Sequence, residues 1–398
     1  MTKNNSVPSL WLLFLLVGFP QFSETVYAPA LPNIAHILQT SNHLVQWTLS
    51  LYFIGFALGV FFWGRYSDHK GRRFSMLIGL GIYIIGSLLC LSAQSITWLL
   101  LSRLVQGFGA SCGSVLTQTI ARETLPDHRR HQFFSATGFV IAFSIALGPF
   151  VGGYLTEWLG WRSNFTLLLM IGCLMLLLSY KHLPETLKTT STHRIKIHDV
   201  LIQLIKDKRV LGCMWLVAAV NGILFSYYAE SPFIFIRILH LSESEYGRLG
   251  AVIALAALFG SVTSKRLIKD YTGNALLSLG CGIMILSSVL LIVAVSSGNL
   301  TPHHKLLSTV LIMIPMMGLI FGSFGFLIPL TLSTALQKYK HVLGTAGALF
   351  GLSYYLIISF LTWIMGFIHN GTAIPMPVYF CVLTLVTTAV FFIWVREK

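Results

Sequence analysis

The chain has 398 residues, of which 55% are hydrophobic and only 10% are charged, and its mean hydropathy is +0.76. This composition excludes an ordinary soluble globular domain and predicts a polytopic membrane protein. The formal net charge of +14 is explained by membrane topology and contact with anionic lipid, so we expect no nucleic-acid partner.

Twelve stretches of the sequence are long and apolar enough to cross a membrane, because a bilayer core of about 30 Å needs roughly 20 apolar residues of helix. The first run is too long for the core of a signal peptide and lacks a small-residue cleavage site, so we expect it to remain as a helix. The predicted spans are 10–34, 45–64, 74–93, 97–121, 132–156, 164–182, 210–236, 246–264, 275–297, 306–332, 344–368 and 376–395.

The longest polar segment divides these spans into two sets of six. The sequence therefore predicts an N-terminal six-helix bundle over residues 1–183, a cytoplasmic linker over 184–209 and a C-terminal six-helix bundle over 210–398. A weak internal repeat at an offset of about 202 or 203 residues, which pairs Pro29 with Pro232, supports this division. Duplicated halves with a ligand site between them near the midplane are typical of transporters.

The distribution of basic residues predicts the orientation. With the N-terminus inside, 22 of the 27 Lys and Arg residues fall on the cytoplasmic side and only four fall on the opposite side. Because short cytoplasmic loops carry the positive excess, both termini are predicted to be cytoplasmic.

Three charged residues lie inside apolar spans, where a charge costs several kcal/mol and by default marks a functional site. They are Glu24, Arg103 and Glu230. At an offset of 203 residues Glu24 aligns with Tyr227 and Tyr27 aligns with Glu230, so each half presents one Glu and one Tyr on a shared helix face. We expect the two pairs to line one cavity, in which a carboxylate can load and release a proton. The alternative is that each Glu makes a local hydrogen bond and serves packing only.

Metal and cofactor chemistry find no support in the sequence. The six cysteines fall singly inside apolar spans, and the thirteen histidines lie in loops or near span ends without ligand-like spacing. No phosphate-binding loop, zinc-protease motif or nucleophile motif is present, so a membrane-embedded enzyme or sensor is the least supported class.

Several motifs occupy characteristic places relative to the spans. They are GRYSDHKGRR (64–73) in the loop between spans two and three, RLVQGFGA (103–110) in span four and GPFVGG (148–153) in span five. The pattern resembles the major facilitator superfamily, and the span-five motif resembles that of its proton-coupled exporters. With WRSNF (161–165), PET (184–186) and YYAESPF (227–233), it is similar to the drug:proton antiporters of the bicyclomycin and chloramphenicol resistance type. The resemblance implies an all-α membrane fold of 12 transmembrane helices in two pseudo-symmetric six-helix bundles.

The resemblance also implies roles in gating. Asp68, Arg72 and Glu123 would form a network that holds an outward-facing state, and Asp68 could also cap a helix N-terminus across the halves. Glycine permits a tight turn and close helix approach, and the basic residues anchor the cytoplasmic face. A hinge in span five is the second implied element, with ordinary small-residue packing as its alternative. The remaining gating candidates are Gly64, Gly71, Arg73, Gly148, Pro149, Gly152 and Gly153.

Arg103 is expected, by resemblance, to face the cavity and to couple to the acid of the first helix. Members of the subfamily commonly carry an Asp where this chain has Thr25, and here the acid is Glu24, one residue earlier. The shift turns the carboxylate by about 100° around the helix, so Glu230 is expected to share or take over proton coupling.

The sequence therefore predicts an inner-membrane, multi-pass monomer that exchanges protons for small amphipathic compounds by alternating access. Its expected partners are a small-molecule substrate, protons and membrane lipids. Two alternatives remain: a dedicated exporter of an endogenous metabolite such as a siderophore, and a proton-coupled importer. The candidate substrate-binding residues are Tyr27, Gln106, Asn221, Tyr227, Tyr228 and Phe233.

Overall fold

The computed structural model describes residues 8–187 and 197–396. Within these ranges the regular structure is entirely helical, and twelve helices are long and apolar enough to cross a membrane. All twelve predicted spans lie in these helices to within two residues, so the predicted fold class is confirmed. The helices are α1 (Leu10–Ile37), α2 (Asn42–Lys70), α3 (Arg72–Leu91), α4 (Ile96–Thr124), α5 (Asp127–Leu159), α6 (Arg162–His182), α7 (Lys208–Ile238), α8 (Glu243–Leu267), α9 (Gly273–Ser296), α10 (Pro302–Tyr339), α11 (Gly344–Ile368) and α12 (Pro375–Val395).

The predicted linker, 184–209, lies partly outside the described residues, which omit 188–196. Its described part contains a short helix, Ile197–Lys206, that buries Val200 and Leu204. Alternate helix ends fall on alternate sides of the bundle. We call the side that carries this linker and the α2–α3 turn the linker face, and the other side the opposite face.

The first motif is helical rather than a loop, which corrects the prediction for residues 64–73. Helix α2 continues to Lys70, and α3 begins at Arg72, so the turn between them consists of Gly71 alone. Gly71 has a φ of +100°, a conformation that a side chain would strain, and its N–H bonds to the Ser67 carbonyl oxygen. One glycine is therefore sufficient to reverse the chain between two long helices.

Proline interrupts the first helix of each half. Helix α1 ends its first segment at Thr25, forms a tight turn over Ala28–Ala30 and resumes at Leu31. Helix α7 changes to the wider π form over Phe233–Ile238, directly after Pro232. Proline cannot donate the helical hydrogen bond, so it produces such breaks, and they re-aim the side chains that follow.

Helix α5 packs closely against a helix of each half through its glycines. A Cβ atom at Gly152 would lie 1.6 Å from the carbonyl oxygen of Val26 on α1, and a Cβ at Gly153 would lie 2.3 Å from that of Glu243 on α8. The missing side chains therefore allow backbone to meet backbone on both sides of α5, as small residues do in membrane helix packing. Pro149 belongs to the second contact, since its carbonyl oxygen approaches Gly247 of α8.

The two halves also meet between α2 and α11. Aromatic rings of Phe53 and Phe56 pack on Tyr355 with centroid separations of 6.3 and 4.5 Å. Closer to the opposite face, the Ser359 hydroxyl donates to the Ser50 carbonyl oxygen at 2.8 Å. In the described part of the chain, the hydrogen bonds that join the halves lie in the half of the bundle nearer the opposite face.

We expect Gly152→Ala to destabilise the protein by about 1–3 kcal/mol, because the added methyl group would overlap the α1 backbone and force the helices apart. Gly138→Ala is the matched control on the same helix, since no heavy atom lies within 4 Å of a Cβ there. Thermal unfolding of both variants in detergent measures the difference. Equal unfolding temperatures for the two would contradict the close α1–α5 contact.

Candidate functional site

Arg103 is fully buried in α4, and two aromatic rings pack against its guanidinium where water would otherwise solvate it. The carbon at the centre of its guanidinium lies 4.2 Å from the ring centroid of Tyr27 on α1 and 4.2 Å from that of Tyr52 on α2. A guanidinium over aromatic faces is attracted by the ring electrons, and the attraction is strongest where water is absent. Its Nη1 donates to Gln106 Oε1, whereas Nε and Nη2 have no hydrogen-bond partner.

Gln106 holds this arrangement from one turn further along α4. Its Nε2 donates to the Ser87 hydroxyl of α3 at 2.9 Å, which leaves Oε1 to accept from Arg103. The thiol of Cys90, also on α3, lies 3.7 Å from the same oxygen. Gln106 was predicted to bind substrate, and the structure uses both ends of its amide inside the first half.

Glu24 is buried to 1% exposure, and neither of its carboxylate oxygens has a hydrogen-bond partner. No ion pair within 4 Å joins it to Arg103, so the expected coupling of these two is not a salt bridge in this conformation. The carboxylate nevertheless lies within electrostatic range of Arg103, of Tyr52 and of Tyr355 on α11. A buried carboxylate without partners is costly unless it is neutral, so this position favours binding of a proton or a cation.

The position of Thr25 explains why the acid lies one residue earlier. The Thr25 hydroxyl is directed at α5, where it lies 3.3 Å from the Ile145 carbonyl oxygen, and a Cβ atom at Gly148 would approach it to 2.1 Å. A carboxylate at position 25 would therefore meet the α5 backbone in this chain. Glu24 lies about 100° around the helix from Thr25, and its carboxylate is within electrostatic range of Arg103 on α4 and of Tyr355 on α11.

Glu230 differs from Glu24 because its carboxylate is fully paired. It is 0% exposed and accepts from Gln46 Nε2 of α2 at 2.7 Å. His369, at the end of α11, places Nδ1 at 2.8 and 2.9 Å from the two carboxylate oxygens. Glu230 thus lies in a closed contact between the halves near the opposite face, rather than in a midplane cavity as predicted.

The same contact extends to two further residues. His369 Nε2 lies 3.2 Å from Asn42 Nδ2, and Asn42 Oδ1 accepts from Arg237 Nη1 at 3.1 Å. Arg237 also donates from Nη2 to the Pro32 carbonyl oxygen at 2.9 Å. A continuous chain of hydrogen bonds therefore ties α7 and α11 to the ends of α1 and α2.

Two of the predicted tyrosines make their hydroxyl contacts within their own halves. Tyr27 bonds through its hydroxyl to Thr48 of its own half at 3.0 Å, and Tyr227 bonds to Met313 Sδ of its own half at 3.5 Å. Tyr228 stacks edge-on against Tyr227 at 5.4 Å and has a buried hydroxyl without a partner.

Two other predicted substrate residues lie elsewhere. Phe233 packs on His369, with 5.4 Å between ring centroids, and so belongs to the closed contact. Asn221 donates to the Val217 carbonyl oxygen of its own helix at 2.9 Å.

At the linker face, Arg72 brings together two of the predicted gating acids. It is 5% exposed and bonds to Asp68 at 2.5 Å and to Glu123 at 2.7 Å. Asp68 therefore pairs with Arg72 instead of capping a helix across the halves. The cap on the α3 N-terminus comes from Glu185, whose carboxylate accepts from the backbone N–H groups of Arg72 and Arg73 at 2.8 and 3.2 Å.

The other linker-face candidate, Gly64, faces the second half. A Cβ atom built at Gly64 would lie about 4 Å from the Ala348 side chain of the second half and about 4 Å from the Val115 side chain of α4. Arg73 also donates to the Tyr180 carbonyl oxygen, so the hydrogen bonds of Arg72 and Arg73 stay within the first half and the linker.

Sequence reasoning missed the partners that define both acids. Gln46, Asn42 and His369 are ordinary polar residues at helix ends, and Tyr355 is one of many aromatic residues. No pattern in the sequence marks these residues, because their roles depend on contacts that form only when α2, α7 and α11 pack together. The described residues contain no cluster of potential metal ligands.

Comparisons with known proteins place the chain among transporters. A model of the Major Facilitator Superfamily matches residues 13–362. An uncharacterized transporter of Rickettsia felis is 34% identical over 98% of this chain and 96% of its own. A bicyclomycin resistance protein homolog of Haemophilus influenzae is 25% identical over 72% and 74% of the two chains, and multidrug resistance protein D of Escherichia coli is 26% identical over 88% and 86%. The fold is shared with a D-xylose-proton symporter, with a TM-score of 0.78, 16% identity and coverage of 98% and 97%.

The different surroundings of the two acids predict different effects of their substitution on stability. At pH 8, Glu24→Gln should not lower the unfolding temperature, since it removes a buried charge that has no partner. Glu230→Gln should destabilise by about 1–3 kcal/mol, because an amide N–H₂ replaces an acceptor that faces two donors. Thermal unfolding in detergent compares the variants, and a larger loss for Glu24→Gln than for Glu230→Gln would contradict the pairing described above.

Proposed function

Because the chain belongs to the Major Facilitator Superfamily and is a multi-pass membrane transporter, we propose that it exports small amphipathic compounds in exchange for protons. The observation that carries this proposal is the buried, unpartnered Glu24 carboxylate within electrostatic range of an Arg103 guanidinium that packs on two tyrosine rings. The bicyclomycin and multidrug resistance proteins among its relatives favour a drug-like substrate class.

Glu24 is the proposed site of exchange between proton and substrate. Its oxygens accept no hydrogen bond, so the carboxylate gains most from a proton or from a cationic group on the substrate. The two occupants exclude each other at one carboxylate, which couples their movements without covalent chemistry. Arg103 remains charged throughout and sets the electrostatic potential of the site.

Aromatic rings from both halves supply the apolar part of the proposed site. Tyr52 and Phe56 come from α2, and Tyr354 and Tyr355 come from α11, with 4.4 Å between the ring centroids of the α11 pair. Such rings bury the apolar part of a ligand and attract a cationic group. This wall differs from the predicted one, in which Tyr227 and Tyr228 were to take part.

We take the linker face as cytoplasmic, because it carries most of the Lys and Arg residues. In this proposal the units 1–183 and 210–398 rock against each other, and the segment 184–209 connects them. The α5 contacts at Gly153 and Pro149 provide the fulcrum, since backbones that touch can pivot without repacking large side chains. The protein would work as a monomer in the bacterial inner membrane, with both termini cytoplasmic and with lipid around it.

We expect Glu24→Gln to reduce efflux driven by a pH gradient by at least tenfold, because an amide cannot carry the exchanged proton. Proteoliposomes loaded with a lipophilic cation such as ethidium, with an imposed pH gradient, measure the rate. Glu245→Gln is the control, since Glu245 closes a capping box at the start of α8 and glutamine also serves in that motif.

A wild-type efflux rate that does not depend on the imposed pH gradient would contradict proton coupling. Full activity of Glu24→Gln would remove Glu24 from the proposed mechanism. Failure of several lipophilic cations and neutral compounds to be transported would contradict the substrate class.

A further inference from the structure

Five side chains form one connected part of the contact between the halves at the opposite face, and we call them the His369 cluster. Glu230, Arg237 and His369 come from the second half, whereas Asn42 and Gln46 come from the first. Four hydrogen bonds of the cluster cross between the halves, including the one from Arg237 to the Pro32 carbonyl oxygen. Separation of the halves on this side requires all four to break.

The donors and acceptors in this cluster define the protonation of His369. Arginine can only donate, so Asn42 Oδ1 must be the atom that accepts from Arg237, and Asn42 Nδ2 then faces His369 Nε2. Because Nδ2 is a donor, Nε2 must be the unprotonated nitrogen of the ring. The ring proton therefore sits on Nδ1 and is donated to the Glu230 carboxylate. The closed contact selects a neutral imidazole beside an ionised acid.

We propose that His369 is a proton-binding site of the transport cycle, distinct from Glu24, and that a proton taken up at its Nε2 from the opposite face releases this closure. The inference rests on the proposed proton-coupled transport and assigns the step at which a proton enters from outside. His369 is suited to the task because an imidazole can carry a proton on either ring nitrogen, and in the closed contact its Nε2 carries none. Its side chain retains 7% exposure, whereas Glu230 beneath it has none.

Protonation of His369 at Nε2 places two hydrogen-bond donors opposite each other. When a proton binds Nε2, a new N–H bond points at the Asn42 N–H₂ group, and the hydrogen bond between them is lost. Rotation of the Asn42 amide cannot restore the series of hydrogen bonds, since its N–H₂ group would then face the donor Arg237. The Nδ1 proton can pass to Glu230, which leaves a neutral ring with its proton on Nε2. Both states carry the Nε2 proton, so the Asn42 contact is lost wherever the charge resides.

Few other charges act on this ring. In the described ranges, Glu230 is the charged group in direct contact with His369, and Arg237 acts on it through Asn42. Phe233 covers the ring on the α7 side and carries no charge. His43, on the same turn of α2 as Asn42, is engaged instead with the Ser41 hydroxyl at 3.1 Å and with the Trp47 ring.

Spin labels across the closure test the proposal without any substrate. Ile37→Cys and Ile374→Cys place labels on exposed positions of the two halves at the opposite face, with Cys173 and Cys381 replaced by alanine. Electron–electron distance measurements on the full-length protein in nanodiscs, at pH 8 and pH 5, report the populations. We expect molecules with the opposite face closed to dominate at pH 8. As the pH is lowered, the ratio of closed to open molecules should fall by up to about tenfold per pH unit for one linked proton.

Two variants and one control separate this mechanism from simple packing. His369→Gln should abolish the pH response, and His43→Gln, the matched control on α2, should retain it. Asn42→Asp should reverse the response, because a carboxylate accepts from both Arg237 and a protonated Nε2 and so closes the contact at low pH. A residue that served packing alone would not produce this reversal.

An unchanged pH response in His369→Gln, or opening of Asn42→Asp on acidification as in the wild type, would overturn the proposal. Both outcomes are independent of the efflux assay. A normal distance response together with absent efflux would count against the proposed function, whereas normal efflux without a distance response would count against the role of His369 alone.

Discussion

The permanent charge of Arg103 is the constraint on which the first half depends. A guanidinium in an apolar span cannot be neutralised, so the surrounding helices must replace its water. Tyr27 from α1 and Tyr52 from α2 provide ring faces, and Gln106, oriented by Ser87 of α3, provides an acceptor. Four helices are thereby brought together around one charge. The arrangement leaves part of the guanidinium unpaired, which keeps the site responsive to charge nearby.

The two buried acids show how similar residues acquire different roles. Glu24 has no hydrogen-bond partner, and the proposed function uses its carboxylate as the site of exchange. Glu230 is held by Gln46 and His369, so its carboxylate is used to close the opposite face. One acid sits among aromatic rings of both halves, and the other belongs to a chain of hydrogen bonds that crosses between them. In the proposed cycle a proton at either site changes the charge between or near the two halves, which is how a transporter can link protonation to conformation.

Much of the fold could be predicted because a membrane span is a local property. Twenty apolar residues identify a helix regardless of their neighbours, and no predicted span extends more than two residues beyond the observed helix that contains it. The helix ends were less predictable. Residues 64–70 were assigned to a loop because they are polar, yet the helix continues through them to Gly71, since a helix can extend beyond the bilayer into water.

The sequence by itself determined the number of helices, the buried charges and the family resemblance, because hydropathy and motif spacing are written along the chain. Only the tertiary structure decided what each charge touches. The swapped Glu and Tyr pairs suggested that Glu24 and Glu230 line one cavity, yet the first carboxylate is unpaired and the second binds His369, which lies 139 residues away in the chain. Hydrogen bonds depend on atoms within about 3 Å. Such distances follow from how α2, α7 and α11 pack, and no periodicity within a single helix specifies them.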